Sequence, residues 1–335
     1  MSNPTSAEKL WEYEAVQPGQ DGPTTVVTLT PEHIAAYASV AQNPDGRFHA
    51  SAANTEYGGA LAAMPTMILT YAPLMRPEIA AHQGFVALED SKTSRRQTPF
   101  AKCEVCWFKP VIAGDTLTGT RRVHEKYERR GSRFVTFRIE ATNQRGEKVA
   151  HYDYTCIFSY AKGQQSVPAG DGAAKPAPAL NAGRATAAAT PRVLTFDSAA
   201  IGTALAPLSI TESVEIMLRK NDLRLAGKHR PSNIHTDEEF AKKNIFGGMV
   251  NSGPATLSYV DQMLLQSFPL RAFYDGGRLL MRAITPFRSS DTVTFTGEVT
   301  GKREEGGQKL VDLEVKCTNQ NGQDTLQGEA TVALN

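Results

Sequence analysis

The chain has 335 residues, enough for one large domain or two of ordinary size. With 41% hydrophobic and 21% charged residues it should build a real core, and a formal net charge of +1 excludes recognition of nucleic acid by bulk charge. Four cysteines are too few for a disulfide scaffold, no apolar run approaches bilayer-spanning length, and MSNPTSAEKLWEYEA holds no apolar segment of the signal type, so a cytoplasmic protein without a membrane partner is expected.

Taken in chain order, Thr30-Pro31-Glu32 reads as a helix start. A helical stretch, PTMILTYAPLMRPEIAA, opens at Pro65, and Pro73 and Pro77 should kink or end it. KCEVCWF reads as a strand. Cys103 and Cys106, three apart, then point to opposite faces, as buried thiols rather than a metal site. Three strand-like runs follow, TLTGTRRVH, FVTFRIEAT and VAHYDYTCIF, separated by RRGS and NQRGE, which is the pattern of an antiparallel meander. Residues 162–192, rich in Ala, Pro and Gly, cannot bury enough surface to offset their ordering entropy and read as a linker. Beyond it Thr211-Glu212 reads as a helix start, and Thr236-Asp237-Glu238-Glu239 as a capping box with Thr236 as the cap. PATLSYVDQMLLQSF, from Pro254, is apolar on more than one face and should be a largely buried helix. A second meander closes the chain.

The two meanders are copies of one another. An offset of 176 pairs Pro110 with Pro286, Asp115 with Asp291, Gly131 with Gly307 and Thr142-Asn143-Gln144 with Thr318-Asn319-Gln320. A nearly ungapped match over roughly forty residues marks a duplication. It predicts an α+β chain of two units, 1–161 and 193–335, each a helix wrapped by an antiparallel sheet. The helix starts are offset by 189, so the first copy is longer between helix and meander. In that register Gly253 falls opposite Met64 and His235 opposite Gly46, with His49 three residues further on.

With both meanders and the segment NIHTDEEFAKKNIFGGMVNSG in view, the sequence resembles the MaoC-like dehydratase and (R)-specific enoyl-CoA hydratase family in its double-hotdog form. The family segment reads D-x-N-P-x-H-x-D, then a Phe and a helix-opening Gly. His235 falls on the motif histidine, Asp237 on the acid two places later, and Phe246 and Gly253 at similar spacing beyond. Arg230 stands where the family has its first Asp, and Ser232-Asn233 where it has Asn-Pro.

The resemblance implies a hydro-lyase that adds water to a 2-enoyl thioester or removes it from the 3-hydroxyacyl thioester. It implies His235 as acid/base, the Gly253 N–H as oxyanion donor, and Asn233 or Asp237 as an orienting partner. Arg230, Phe246, Met249 and Ser252 would lie along the substrate, with the first unit making room for the acyl chain. An acyl-CoA partner, no cofactor, no metal and a possible homodimer follow. Asp222 and His229 are candidates to replace the missing Asp, and Arg95 and Arg96 to meet a CoA phosphate. Two alternatives stay open: dehydration of an unusual substrate with another base, and a thioester-binding subunit without activity of its own. A thioesterase is a weaker third.

Overall fold

Strands carry most of the chain. In the computed structural model, which describes residues 8–161 and 192–334, ten strands form one antiparallel sheet. The first half supplies β1 (Thr25–Thr28), β2 (Phe100–Trp107), β3 (Thr116–Arg129), β4 (Ser132–Thr142) and β5 (Lys148–Ser159). The second supplies β6 (Leu208–Thr211), β7 (Arg278–Ala283), β8 (Thr292–Glu305), β9 (Gln308–Asn319) and β10 (Asp324–Ala333). Their order across the sheet is β1-β3-β4-β5-β2-β7-β10-β9-β8-β6, so the second half mirrors the first about the β2–β7 pair. That pair runs antiparallel with Glu104 opposite Leu280, and it joins the two units through backbone hydrogen bonds. Except for Arg192, the expected linker lies outside the described residues.

The 176-residue offset holds at the level of single bonds. β3 and β8 start and stop 176 residues apart and carry the same bulge, between Val123 and Glu125 and between Val299 and Gly301. Asp115 accepts from the Ile112 N–H and Gln144 Nε2, and Asp291 accepts from the Arg288 N–H and Gln320 Nε2. These repeated turn bonds explain why Asp and Gln recur in both copies, because each satisfies loop groups that no ladder reaches. Alternate residues of β8, among them Val293, Phe295 and Val299, are buried, giving the sheet its core face.

The helices differ between the copies. Helix α1 (Pro31–Val40) starts as expected, with Thr30 accepting from the His33 N–H. The stretch from Pro65 does not make one long helix. A 3-10 turn, Pro65–Met67, leads into a single turn, α2 (Ile68–Tyr71), and the chain breaks at Ala72-Pro73. It resumes as α3 (Arg76–His82) after Met75 in left-handed backbone at φ 52°. Carbonyls freed by the break find side-chain donors: the Tyr152 hydroxyl donates to the Ala72 oxygen at 2.8 Å, and Arg121 Nε to the Pro73 oxygen at 3.0 Å.

In the second copy α4 (Val214–Asp222) is capped by Ser213, which corrects the expected start at Thr211, a β6 residue. Helix α5 (Glu238–Lys242) is capped by Asp237, not Thr236: the Asp237 carboxylate accepts from the Phe240 N–H, while the Thr236 hydroxyl turns away to the Pro231 oxygen. The central helix α6 (Gly253–Leu265) is unbroken, with ten of its thirteen residues buried. Among the described residues, no helix is long and apolar enough to cross a membrane.

The central helices of the two copies meet at one buried carboxylate. Asp261 of α6 accepts from both the N–H (2.9 Å) and the hydroxyl (2.5 Å) of Thr66, while its Oδ1 has no partner among the described residues. Burial pushes its pKa up to about 7, against the pull of the Thr66 donors. The folded protein therefore binds a proton here that the unfolded chain, with an ordinary Asp, releases near pH 4. Stability from this group is greatest at low pH and is lost as pH rises towards 7. Between pH 5 and 8 it should fall by about 2–3 kcal/mol. Thermal unfolding of Asp261→Asn across this range is expected to lack that component, because the amide keeps an acceptor for Thr66 without a titrating charge.

Candidate active site

The segment between α4 and α6 places His235. The Asn233 side-chain oxygen accepts from the His235 N–H at 2.8 Å, and its Nδ2 donates to the Arg230 carbonyl and to Asn221 Oδ1. This is the bonding of an Asx turn, which a Ser-Asn pair can make without the proline. Two further bonds fasten the turn to the segment entering α6. The Val250 N–H donates to the Ile234 carbonyl, and His235 Nδ1 donates to the Val250 carbonyl at 2.8 Å. A carbonyl can only accept, so the neutral ring carries its proton on Nδ1 and leaves a lone pair on Nε2. Nε2 has no hydrogen-bond partner among the described residues.

Three residues past Val250, Gly253 opens α6. Ser252 is its N-cap but makes no side-chain capping bond, and among the described residues no backbone carbonyl accepts from the Gly253 N–H. Phe100 of β2 packs over this glycine so closely that a Cβ there would lie 2.4 Å from the ring. The other copy treats the corresponding helix mouth differently. Next to Met64, which aligns with Gly253, the Asp261 carboxylate occupies the first turn. His49, near the position matching His235, is exposed and bonded to the Asn43 carbonyl.

His235 stands where two cavities meet. One, of about 310 Å³, lies between the copies under the broken first-copy helix, lined by Leu69, Pro73 and Met75 on one side and by Lys220, Asn233 and Ser252 on the other. The second, of about 430 Å³, is mostly apolar and holds Gly253, Phe100, Phe246 and Phe287. Arg76, Gln97, Tyr154 and His235 line both. The imidazole pKa is held below its ordinary value, first by burial and then by the Arg224 and Arg76 guanidiniums, against the bond to Val250. It therefore rests as a neutral base at neutral pH.

Several expectations from sequence need correction. Asp237 lines neither cavity: besides capping α5 it accepts from the Ser232 hydroxyl at 2.6 Å, and both bonds lower its pKa. Met249 also lines neither and packs in a small cluster with Ile234, Ala241 and Val250. Asp222 and His229 form an exposed pair with each other at 3.0 Å and reach neither cavity. Arg96 is spent on Glu12, whereas Arg95 lines the first cavity, its guanidinium 3.9 Å above the Phe240 ring.

Arg230, in the place of the family Asp, lines the first cavity, but its guanidinium is held by Glu78 at 3.2 Å and Asp90 at 3.3 Å, both from the first copy. It fastens the histidine segment across the unit boundary. Arg230→Asp would set a third carboxylate beside those two, so it is expected to lower stability by about 1–3 kcal/mol and to reduce turnover rather than restore it. Thermal unfolding and an activity assay on the same sample check both.

Residues not singled out from sequence complete the site from the first copy. Glu89 is the one carboxylate among the residues lining either cavity, and it is occupied by Arg76 and by the Thr98 hydroxyl. Arg76 keeps its buried Nε without a partner among the described residues. Their roles depend on a pairing between units that no local pattern announces.

Comparison with known proteins bears on the fold. Residues 224–321 match the MaoC-like domain model, and residues 17–152 match a FAS1-like dehydratase domain region. A solved structure described as a MaoC-like dehydratase superimposes with a TM-score of 0.68 at 17% identity, covering 95% of this chain and 98% of its own. A MaoC-like dehydratase of Phytophthora capsici gives 0.61 at 16%, covering 94% and 96%. A Mycobacterium tuberculosis protein with a double hotdog fold gives 0.56 at 15%, covering 96% and 98%. At such identities the likeness is one of fold. A search of curated proteins found no match.

Proposed function

From a chain that is a double hotdog of the MaoC-like dehydratase family, we propose a hydro-lyase acting on a 2-enoyl or 3-hydroxyacyl thioester, with CoA as the carrier. The observation that carries the reading is the pairing of a neutral, Nδ1-anchored His235 with an unbonded Gly253 amide on the wall of the same cavity.

In the hydration direction His235 Nε2 takes a proton from water as the oxygen bonds to C3 of the enoyl group. The π electrons move onto the thioester oxygen, which the Gly253 N–H receives at the positive end of α6. The imidazolium then returns its proton to C2 as the enolate collapses, so atoms and charge balance. One imidazole serves both transfers, which accommodates the missing motif Asp. Asn233 orients the histidine segment, and the gap beneath the broken first-copy helix takes the acyl chain.

The purified protein alone should consume a short 2-enoyl-CoA, read as loss of the conjugated absorbance and appearance of the 3-hydroxyacyl product. Since the folded His235 pKa lies below its ordinary value, the acid limb of kcat/KM should fall below pH 6.5, activity being lost as pH drops through it. Protein that binds several chain lengths of enoyl-CoA but hydrates none would be a thioester-binding subunit, and the hydro-lyase reading would be withdrawn.

A further inference from the structure

The cavity beneath the broken helix is cationic. Five basic side chains, Arg76, Arg95, Lys220, Arg224 and Arg230, line it against the single carboxylate of Glu89. Arg76 is paired with Glu89, Lys220 with Glu212 at 2.8 Å, and Arg230 with Glu78 and Asp90. Arg95 and Arg224 have no carboxylate partner among the described residues. Arg95 donates to the Glu89 and Ser232 carbonyls and the Ser232 hydroxyl, and Arg224 to the carbonyl and side-chain oxygen of Asn221.

Two of these groups act deeper in. Arg76 Nε is buried without an acceptor among the described residues, and Arg76 lines both cavities beside His235. Lys220 is 6% exposed. Besides its bond to Glu212 it donates to the Tyr259 hydroxyl, leaving one of its three N–H donors for the cavity it lines. A hydrocarbon chain laid in this cavity would bury polar donors without acceptors, each at a real cost in free energy. An oxyanion would satisfy them.

We propose that this cavity binds an oxyanion of the substrate, a carboxylate carried on the acyl group, so that the enzyme acts on carboxylate-bearing enoyl thioesters in preference to plain fatty ones. This deepens the thioester reading above and rests on it. The same cations could instead read a phosphate of CoA, which is also an oxyanion, and the two sources separate by experiment. A carboxylate at Arg76 and Arg224 would also offset two charges that now bear on His235, easing its passage through the imidazolium.

The test uses saturated analogues, which contain no double bond to hydrate, so binding is read independently of turnover. Glutaryl and valeryl thioesters, each on CoA and on N-acetylcysteamine, are titrated calorimetrically against the whole protein and against Arg224→Gln. Arg224 is exposed and has no acidic partner among the described residues, so this variant should fold. Glutaryl should bind at least about tenfold more tightly than valeryl on both carriers, and Arg224→Gln should remove most of that preference, chiefly by weakening glutaryl binding. Lys220→Met, with its fold checked by circular dichroism, should act in the same direction. Equal binding of glutaryl and valeryl overturns the proposal, as does no binding of either. If Arg224→Gln weakens both CoA thioesters alike and neither N-acetylcysteamine thioester, the cations read the carrier's phosphate and the acyl carboxylate is overturned. A clear glutaryl preference in a protein inert towards every enoyl thioester would leave this subsite standing and remove only the hydro-lyase.

Discussion

Replacing His235 by alanine should lower kcat/KM for hydration by about 10²- to 10⁴-fold, the range for loss of a positioned general acid/base. The fold should survive, because the main structural bond removed is the one from Nδ1 to the Val250 carbonyl, worth about 1 kcal/mol. Adjacent ties do not involve the ring: Asn233 still receives the backbone N–H of residue 235, and Val250 still donates to Ile234. His235→Gln separates the two roles. Its amide can keep a donor near Val250 but cannot relay a proton at neutral pH, so it should be as inactive as alanine and more stable. Turnover near wild type in both variants would remove the imidazole from the chemistry and return attention to Glu89, the carboxylate on the cavity wall.

The second large effect is expected at Gly253. A methyl group there meets Phe100 at 2.4 Å from Cδ1 and 2.6 Å from Cγ, inside any tolerable contact. Swinging the ring does not fully clear the contact, since Phe100 Cβ also lies 3.0 Å away. Ring or helix start must shift, and either moves the amide from where a thioester oxygen would sit. Losing one such donor costs about 10²- to 10³-fold in kcat. Gly253→Ala should therefore lower kcat by about that factor, with a smaller change in KM. Pairing it with Phe100→Ala should recover part of the loss, because the steric cause is then gone. If Gly253→Ala turns over normally, the amide does not hold the developing charge.

Much of the fold was legible because duplication repeats its own evidence. The bounds of β3 and β8, their bulge and the turn bonds recur at one offset, so Asp115 and Gln144 could be read against Asp291 and Gln320. The first-copy helix was harder. Its prolines announced a kink, yet how far it breaks depends on Tyr152 and Arg121, which arrive from distant strands to satisfy the freed carbonyls. At position 297, where Arg121 has its counterpart, the second copy has a glycine packed under Leu205, and its helix runs unbroken.

The candidate site divides in the same way. His235, Asn233 and Gly253 were readable from one local segment, and the structure brings His235 and Gly253 to a shared wall. Spacing alone leaves Asp237 open, because a carboxylate two places beyond a histidine looks the same whether it faces a cavity or caps a helix. Only the bond to the Phe240 N–H distinguishes them. Arg76, Glu89 and Arg224 could not be found by spacing, since what gathers them is packing between units.

The buried Asp261–Thr66 contact also bears on ancestry. In an assembly of two identical subunits, any residue that plugs one helix entrance plugs its symmetry mate as well, and catalysis disappears from both. Joining the subunits into one polypeptide lifts that constraint: an acid can seal one entrance while the other stays open. Covalent fusion thus lets one half specialise in shaping the ligand's berth while its sibling keeps the reactive groups.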